Sequence, residues 1–163
     1  MENNFKNRVM KYLEELIYRL KKRKQTIAVA ESCTGGYLSY LLTKVPGSSK
    51  VFKLGVVAYS ISAKEKLLLI PPSLLEGNEG VSEEVAKFLA INVRKILNTN
   101  LGVSVVGFAG PQAKKGMRGT VFMAVADKNC ARVKEEKING DRDTVRRKAS
   151  YSLIKFVLQI IKH

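Results

Sequence analysis

Apolar residues recur at helical spacing from the start of the chain. Phe5, Val9, Leu13, Leu16, Ile17 and Leu20 share one face, which predicts a helix over 3–22. The run T-I-A-V-A (26–30) is short, apolar and β-branched, and reads as a buried strand. Gly35–Gly36 opens a second helix that ends near Val45–Pro46–Gly47. G-V-V-A-Y (55–59) reads as a second buried strand. Residues 63–69 read as a short helix stopped by Pro71–Pro72, because proline has no N–H and clashes with the preceding turn.

Ser82 is an N-cap, with Glu83 and Glu84 in the first turn where the helix dipole favours carboxylates. Val85, Phe88, Leu89, Val93, Ile96 and Leu97 continue as an amphipathic helix. L-G-V-S-V-V (101–106) is a third buried strand, running into G-F-A-G-P (107–111) and a basic loop to Gly119. Segments 119–126 and 131–138 form a hairpin. The second alternates apolar and charged residues, so it faces water on one side near a sheet edge. Val145, Ala149, Leu153, Phe156 and Ile160 mark a last amphipathic helix. Strands alternating with helices predict an α/β fold: a three-layer α/β/α sandwich around a mixed, mainly parallel sheet of about five strands.

The chain has 163 residues, which fits one domain over 1–163. A chain of this length buries about 70% of its unfolded surface, so it needs no disulfide or metal staple. No run of 18 apolar residues occurs, so no membrane span is expected. The N-terminus has no apolar leader, which predicts a cytoplasmic protein. Cys33 and Cys130 form no paired motif and read as reduced thiols. The net charge of +15 raises nucleic acid, anionic lipid or a phosphorylated small molecule as partners. Its basic residues are spread out, apart from Lys21–Lys24 and Arg142–Lys148, so nucleic-acid binding is expected to be weak.

Ligands of such sheets collect at the carboxyl ends of the strands. Three polar, glycine-bearing segments fall there: Glu31–Gly36, Tyr59–Lys64 and Gly107–Pro111. The helix after Gly35 should point free N–H groups at that rim, where they could hold a phosphate or an oxyanion. In the competing reading, Ser32 or Thr34 merely caps that helix. Neither G-x-x-x-x-G-K-[ST] nor G-x-G-x-x-G is present. The only histidine, His163, is the last residue. A hydroxyl nucleophile, Ser32 or Ser49, would therefore need a lysine, a carboxylate or a tyrosine as its base. A Ser–Lys amidase or acyl-transfer site using Lys64 and Tyr59 is the first reading. If 50–59 were one straight strand, Ser49 and Tyr59 would lie about 30 Å apart.

E-S-C-T-G-G (31–36), V-P-G-S-S (45–49), G-V-V-A-Y-S with Lys64 following, G-V-S-E-E (80–84), G-F-A-G-P (107–111) and G-D-R-D-T-V-R (140–146) occur in that order. In this the chain resembles the CinA C-terminal domain family, also called PncC, over about residues 5–160. The resemblance implies the α/β/α fold, frequent homodimers, no metal and no cofactor. It also implies hydrolysis of nicotinamide mononucleotide to nicotinate mononucleotide and ammonia. Carried over by position, its Ser–Lys pair falls on Ser49 and Lys64. Tyr59 and Ser32 assist, and Arg142 lies near the phosphate; Arg146, four residues on and on the same helix face, is expected to help it. Glu31, Thr34, Gly35, Gly36, Gly107, Ala109 and Gly110 are the remaining expected substrate contacts. Members usually carry Thr or Ser where this chain has Val106, and a longer, glycine-rich loop after Pro111.

The distance between Ser49 and Lys64 has three resolutions. Segment 49–55 is irregular, Ser32 is the nucleophile, or a dimer joins Ser49 of one subunit to Lys64 of the other. The resemblance favours the first or the third. The rival from another class is a catalytically weakened domain that binds nucleotide or nucleic acid.

Overall fold

The structure, a computed structural model, describes residues 2–161, with side chains from residue 7 onward. The Phe5 side chain and His163 lie outside the described residues. Helix α1 (Glu2–Lys22) buries Val9, Leu13, Leu16, Ile17 and Leu20 and ends in basic residues that suit its negative end. Strand β1 (Ile27–Glu31) is buried along its whole length. Helix α2 (Tyr37–Thr43) and a short 3-10 helix (Ser48–Lys50) lead to β2 (Phe52–Val57). Helices α3 (Ile61–Leu68), α4 (Pro72–Leu75) and α5 (Glu83–Ile96) follow. Strands β3 (Leu101–Gly107), β4 (Thr120–Ala126) and β5 (Ala131–Lys137) and helix α6 (Arg142–Ile160) complete the order. Ser60, Ser82 and Asp141 cap α3, α5 and α6 by accepting a backbone N–H three residues on.

The strands form one mixed sheet in the order β2-β1-β3-β4-β5. β1 is parallel to β2 and to β3, and β4 is antiparallel to both β3 and β5. All but β4 therefore run the same way, and the loops after β1, β2, β3 and β5 open on one edge. Helices α1, α2 and α6 cover one face, and α3, α4 and α5 the other. The α/β/α sandwich expected from the pattern is the observed fold. No helix among the described residues is long and apolar enough to cross a membrane.

Strand alternation gives the two faces different textures. Ile27, Val29, Val103, Val105, Val121 and Met123 face α1, α2 and α6. On the other face stand Ala28, Ala30, Gly102, Ser104, Ala124 and Ala126, which let α5 settle close to the sheet. A Cβ on Gly102 would overlap the carbonyl oxygen of Ala90 in α5. The Ser104 hydroxyl donates to the carbonyl of Ala86, one turn earlier.

Two expectations change here. The second strand is Phe52–Val57 rather than 55–59, and it is an outer strand with Gly55 and Val57 exposed. An apolar run does not reveal whether a further strand will pair with it. Segment 49–55 is also not irregular enough to fold back. Its one register shift in the pairing with β1 falls at Lys53, and Ser49 lies before the strand begins.

Replacing Gly102 with alanine should force α5 off the sheet. An unfolding free energy lower by about 1–3 kcal/mol is expected, as for an overpacked core. Urea titration measures it, and an unchanged midpoint would contradict the close approach.

Candidate active site

The loops that follow β1, β2 and β3 meet the start of α6 at the carboxyl-end edge of the sheet. They enclose a cavity of about 190 Å³ whose walls include Ser32, Cys33, Tyr59, Lys64, Gly107, Ala109 and Arg142. Phe108, Val81 and Glu79 complete the wall. Segments 31–36, 59–64 and 107–111 thus converge as the sheet topology predicts.

Glu31 organises the first of these loops. It ends β1 and is fully buried. Its Oε2 accepts from the Thr34 hydroxyl at 2.6 Å, the Gly36 N–H at 3.2 Å and the Leu38 N–H at 3.0 Å. Its Oε1 accepts from the N–H and the hydroxyl of Ser39, at 2.8 and 2.7 Å. The carboxylate therefore serves as the anion at the N-terminus of α2. This corrects the expectation that α2 offers free donors to a ligand. The Gly36 N–H belongs to Glu31, and the Gly35 N–H donates to the Ser32 carbonyl. The helix N-cap is Gly36, not Ser32 or Thr34, and it takes a left-handed φ of 94°. Thr34 is fully buried, so Glu31 and Thr34 shape the loop from behind the cavity.

Lys64 lies on α3 and is only 2% exposed. The turn Gly77–Gly80 covers it, with Gly80 against the end of its side chain. Burial lowers the Lys64 pKa from the ordinary lysine value, and the neighbouring Cys33 opposes the shift. Burial pushes the Cys33 thiol up to about 12, so it stays protonated at neutral pH. Among the described residues no carboxylate pairs with Lys64. The shift is towards the neutral amine, and Ser32 and Tyr59 line the same cavity.

Two arginines of α6 pack against these loops, of which Arg142 lines the cavity and Arg146 does not. Arg142 Nη1 reaches the Tyr59 hydroxyl at 3.4 Å, and its guanidinium lies where a Cβ on Gly110 would be. Arg146 Nε donates to the Thr34 carbonyl at 3.1 Å, and its guanidinium packs over Gly35. The two arginines therefore face the loops rather than Asp141 or Asp143. Asp141 caps α6, and Asp143 pairs with Arg147 at 3.2 Å.

Ser49 is not brought to this cavity. It is exposed, at the opposite edge of the sheet. β2 alone separates it from the rim by about 20 Å. Val106 is fully buried in the core beneath α5 and is not part of the cavity wall. Cys33 and Glu79 were missed as wall residues. Cys33 lies within the rim segment 31–36, and the turn G-N-E-G (77–80) was a visible signal for Glu79.

A family model, the CinA C-terminal domain, matches residues 10–161. A CinA-like protein of Anaeromyxobacter is 43% identical over 143 residues, which is 86% of this chain and 35% of that protein. A CinA-like protein of Koribacter versatilis is 44% identical over 137 residues, 82% of this chain and 33% of that one. The chain thus spans about a third of the length of these curated relatives. A competence-damaged protein (CinA) superfamily structure from Enterobacter cloacae superposes with a TM-score of 0.90 at 28% identity, covering 94% of this chain and 92% of that one. One from Escherichia coli gives 0.89 at 28% identity, covering 93% and 90%.

Glu31→Gln removes a charge and one acceptor oxygen while keeping the shape. Buried N–H groups at Leu38 and Ser39 then lose a charged partner. The expected loss is about 1.5–3 kcal/mol of stability, the range for hydrogen bonds to charged groups. Hydrogen exchange should quicken first at residues 36–39. Exchange unchanged there would refute the organising role.

Proposed function

The chain belongs to the CinA C-terminal domain family, and from that premise we propose that it is an amidohydrolase converting nicotinamide mononucleotide to nicotinate mononucleotide and ammonia by a Ser–Lys mechanism. The observation that carries the reading is Lys64, a buried lysine of lowered pKa in one cavity with Ser32, Tyr59 and Arg142. A neutral amine is the base that a serine needs where no histidine is at hand.

The chemistry follows. Neutral Lys64 takes the serine proton as the oxygen attacks the carboxamide carbon. Backbone N–H groups outside α2, at Cys33 or along 107–111, hold the oxyanion. The C–N bond breaks and ammonia leaves with the proton from Lys64. Water, deprotonated by the same amine, then releases nicotinate mononucleotide and restores the serine. Tyr59 orients Lys64 or relays the proton, and Arg142 with Arg146 meets the 5′-phosphate, which suits a guanidinium fork.

Within one chain the serine available to Lys64 is Ser32. A second reading, with Ser49 as nucleophile, requires a second copy of the chain. The outer strand β2 favours it, because antiparallel pairing of two β2 strands would set Ser49 of one copy against Lys64 of the other. The oligomeric state and the nucleophile are thus one question.

Ammonia release by wild type and by Ser32→Ala, Ser49→Ala and Lys64→Ala decides the reaction and the base. Lys64→Ala should lower kcat/KM by about 10²–10⁴-fold. Because the Lys64 pKa is lowered, the rate should rise with pH through a limb below the usual ~10.4 of lysine, as the amine loses its proton. No turnover by wild type would remove the proposal. Full activity in Ser49→Ala assigns the nucleophile to Ser32; if Ser49→Ala is inactive, mixing it with Lys64→Ala restores activity on subunit exchange only if the site is shared.

Arg142→Ala should weaken KM for the mononucleotide by about tenfold or more and leave the phosphate-free nucleoside nearly unaffected, as loss of a charged hydrogen bond implies. Equal losses on both would show that Arg142 does not read the phosphate.

A further inference from the structure

Among the described residues, Glu79 is the one carboxylate in the wall of the Lys64 cavity. It also lines a neighbouring cavity of about 430 Å³ walled by Ile61, Glu65, Leu75 and Lys114, so the two meet at this side chain. Its backbone is left-handed, with φ 57°. The other described non-glycine residues with positive φ are Lys24, Leu69 and Asn98, which stand just after α1, α3 and α5. There a left-handed residue is a common helix stop. Glu79 closes no such helix. It sits in a four-residue turn held by Asn78, whose Oδ1 accepts from the Gly80 N–H at 2.9 Å, and by Lys114, whose Nζ donates to the Gly77 carbonyl at 2.6 Å. The turn thus keeps a residue in a conformation that suits glycine, and its carboxylate has no hydrogen-bond or ion-pair partner among the described residues.

We infer that Glu79 selects substrates whose ring carries a positive charge. The inference rests on the mononucleotide reading above. A nicotinamide joined to ribose through its ring nitrogen is a pyridinium cation, whereas its reduced form and free nicotinamide are neutral. The phosphate end of the substrate meets Arg142, and the carboxamide meets Lys64. Glu79, in the same wall, supplies the opposite charge for the ring. An exposed carboxylate attracts a nearby cation modestly and in a salt-dependent way, so it sets preference rather than gross affinity.

The test uses two small probes, 1-methylnicotinamide, a cation, and nicotinamide, its neutral counterpart. Binding to the full chain is measured by calorimetry at low and high salt, for wild type, Glu79→Gln and Glu79→Gly. Wild type should prefer the cation by about fivefold at low salt, and the preference should shrink as salt rises. Both variants should lose it, and comparing the probes across the variants cancels the effect of the extra methyl group. The glycine variant suits the left-handed backbone, so its loss cannot be assigned to misfolding. No cation preference in wild type, or one retained in both variants, overturns the inference. Ammonia release is followed in parallel. A Glu79-dependent preference without turnover would sink the hydrolase reading and keep this one, and turnover without the preference would do the reverse.

Discussion

The site depends on one buried carboxylate. Glu31 ends a central strand and gathers five hydrogen bonds from the turn and helix that follow it. An unpaired charge at that depth would be very costly, so the surrounding chain is bound to wrap it. The wrapping fixes the loop and leaves Ser32 and Cys33 in the cavity wall. Arg146 then ties the same loop to α6 through the Thr34 carbonyl. The anion that starts α2 is thus part of the protein, and a substrate must find its donors elsewhere.

Packing beneath the site follows the same economy of space. Small residues on one sheet face let α5 lie close, and Ser104 and Gly102 mark the contact. Helices α3 and α4 pack on that same side through Leu68 and Leu75, and the turn after α4 covers Lys64. A lysine buried this way has lost hydration that water would otherwise give its charged form, which is why its pKa falls. The fold thereby shifts a residue that is ordinarily a cation towards its neutral form. Cys33 beside it is kept inert by the same desolvation, which acts in the opposite direction on a thiol.

The net charge of +15 says little about the site itself. The cavity wall holds two cationic side chains, Lys64 and Arg142, and the carboxylate residue Glu79. Arg142 touches Tyr59, a partner 83 residues away in the chain, so this geometry exists only once α6 has docked against the sheet.

Hydrophobic periodicity alone determined α1, α5 and α6, the strands β1, β3, β4 and β5, and the layered architecture. Those signals are local, since a period of 3.6 or 2 follows from backbone geometry within one element. The rim segments were legible too, because their glycines and polar residues interrupt the apolar pattern. Tertiary structure decided the rest. It made β2 an outer strand, since an apolar run does not carry the identity of its neighbours. It put Ser32 with Lys64 and left Ser49 at the far edge, since strand direction fixes which end of β2 each residue occupies. It turned Glu31 from an expected ligand contact into the anchor of its own loop, and made Cys33 and Glu79 wall residues. A side chain's partners come from the loops that the sheet order gathers around it, and no spacing along the chain encodes that order.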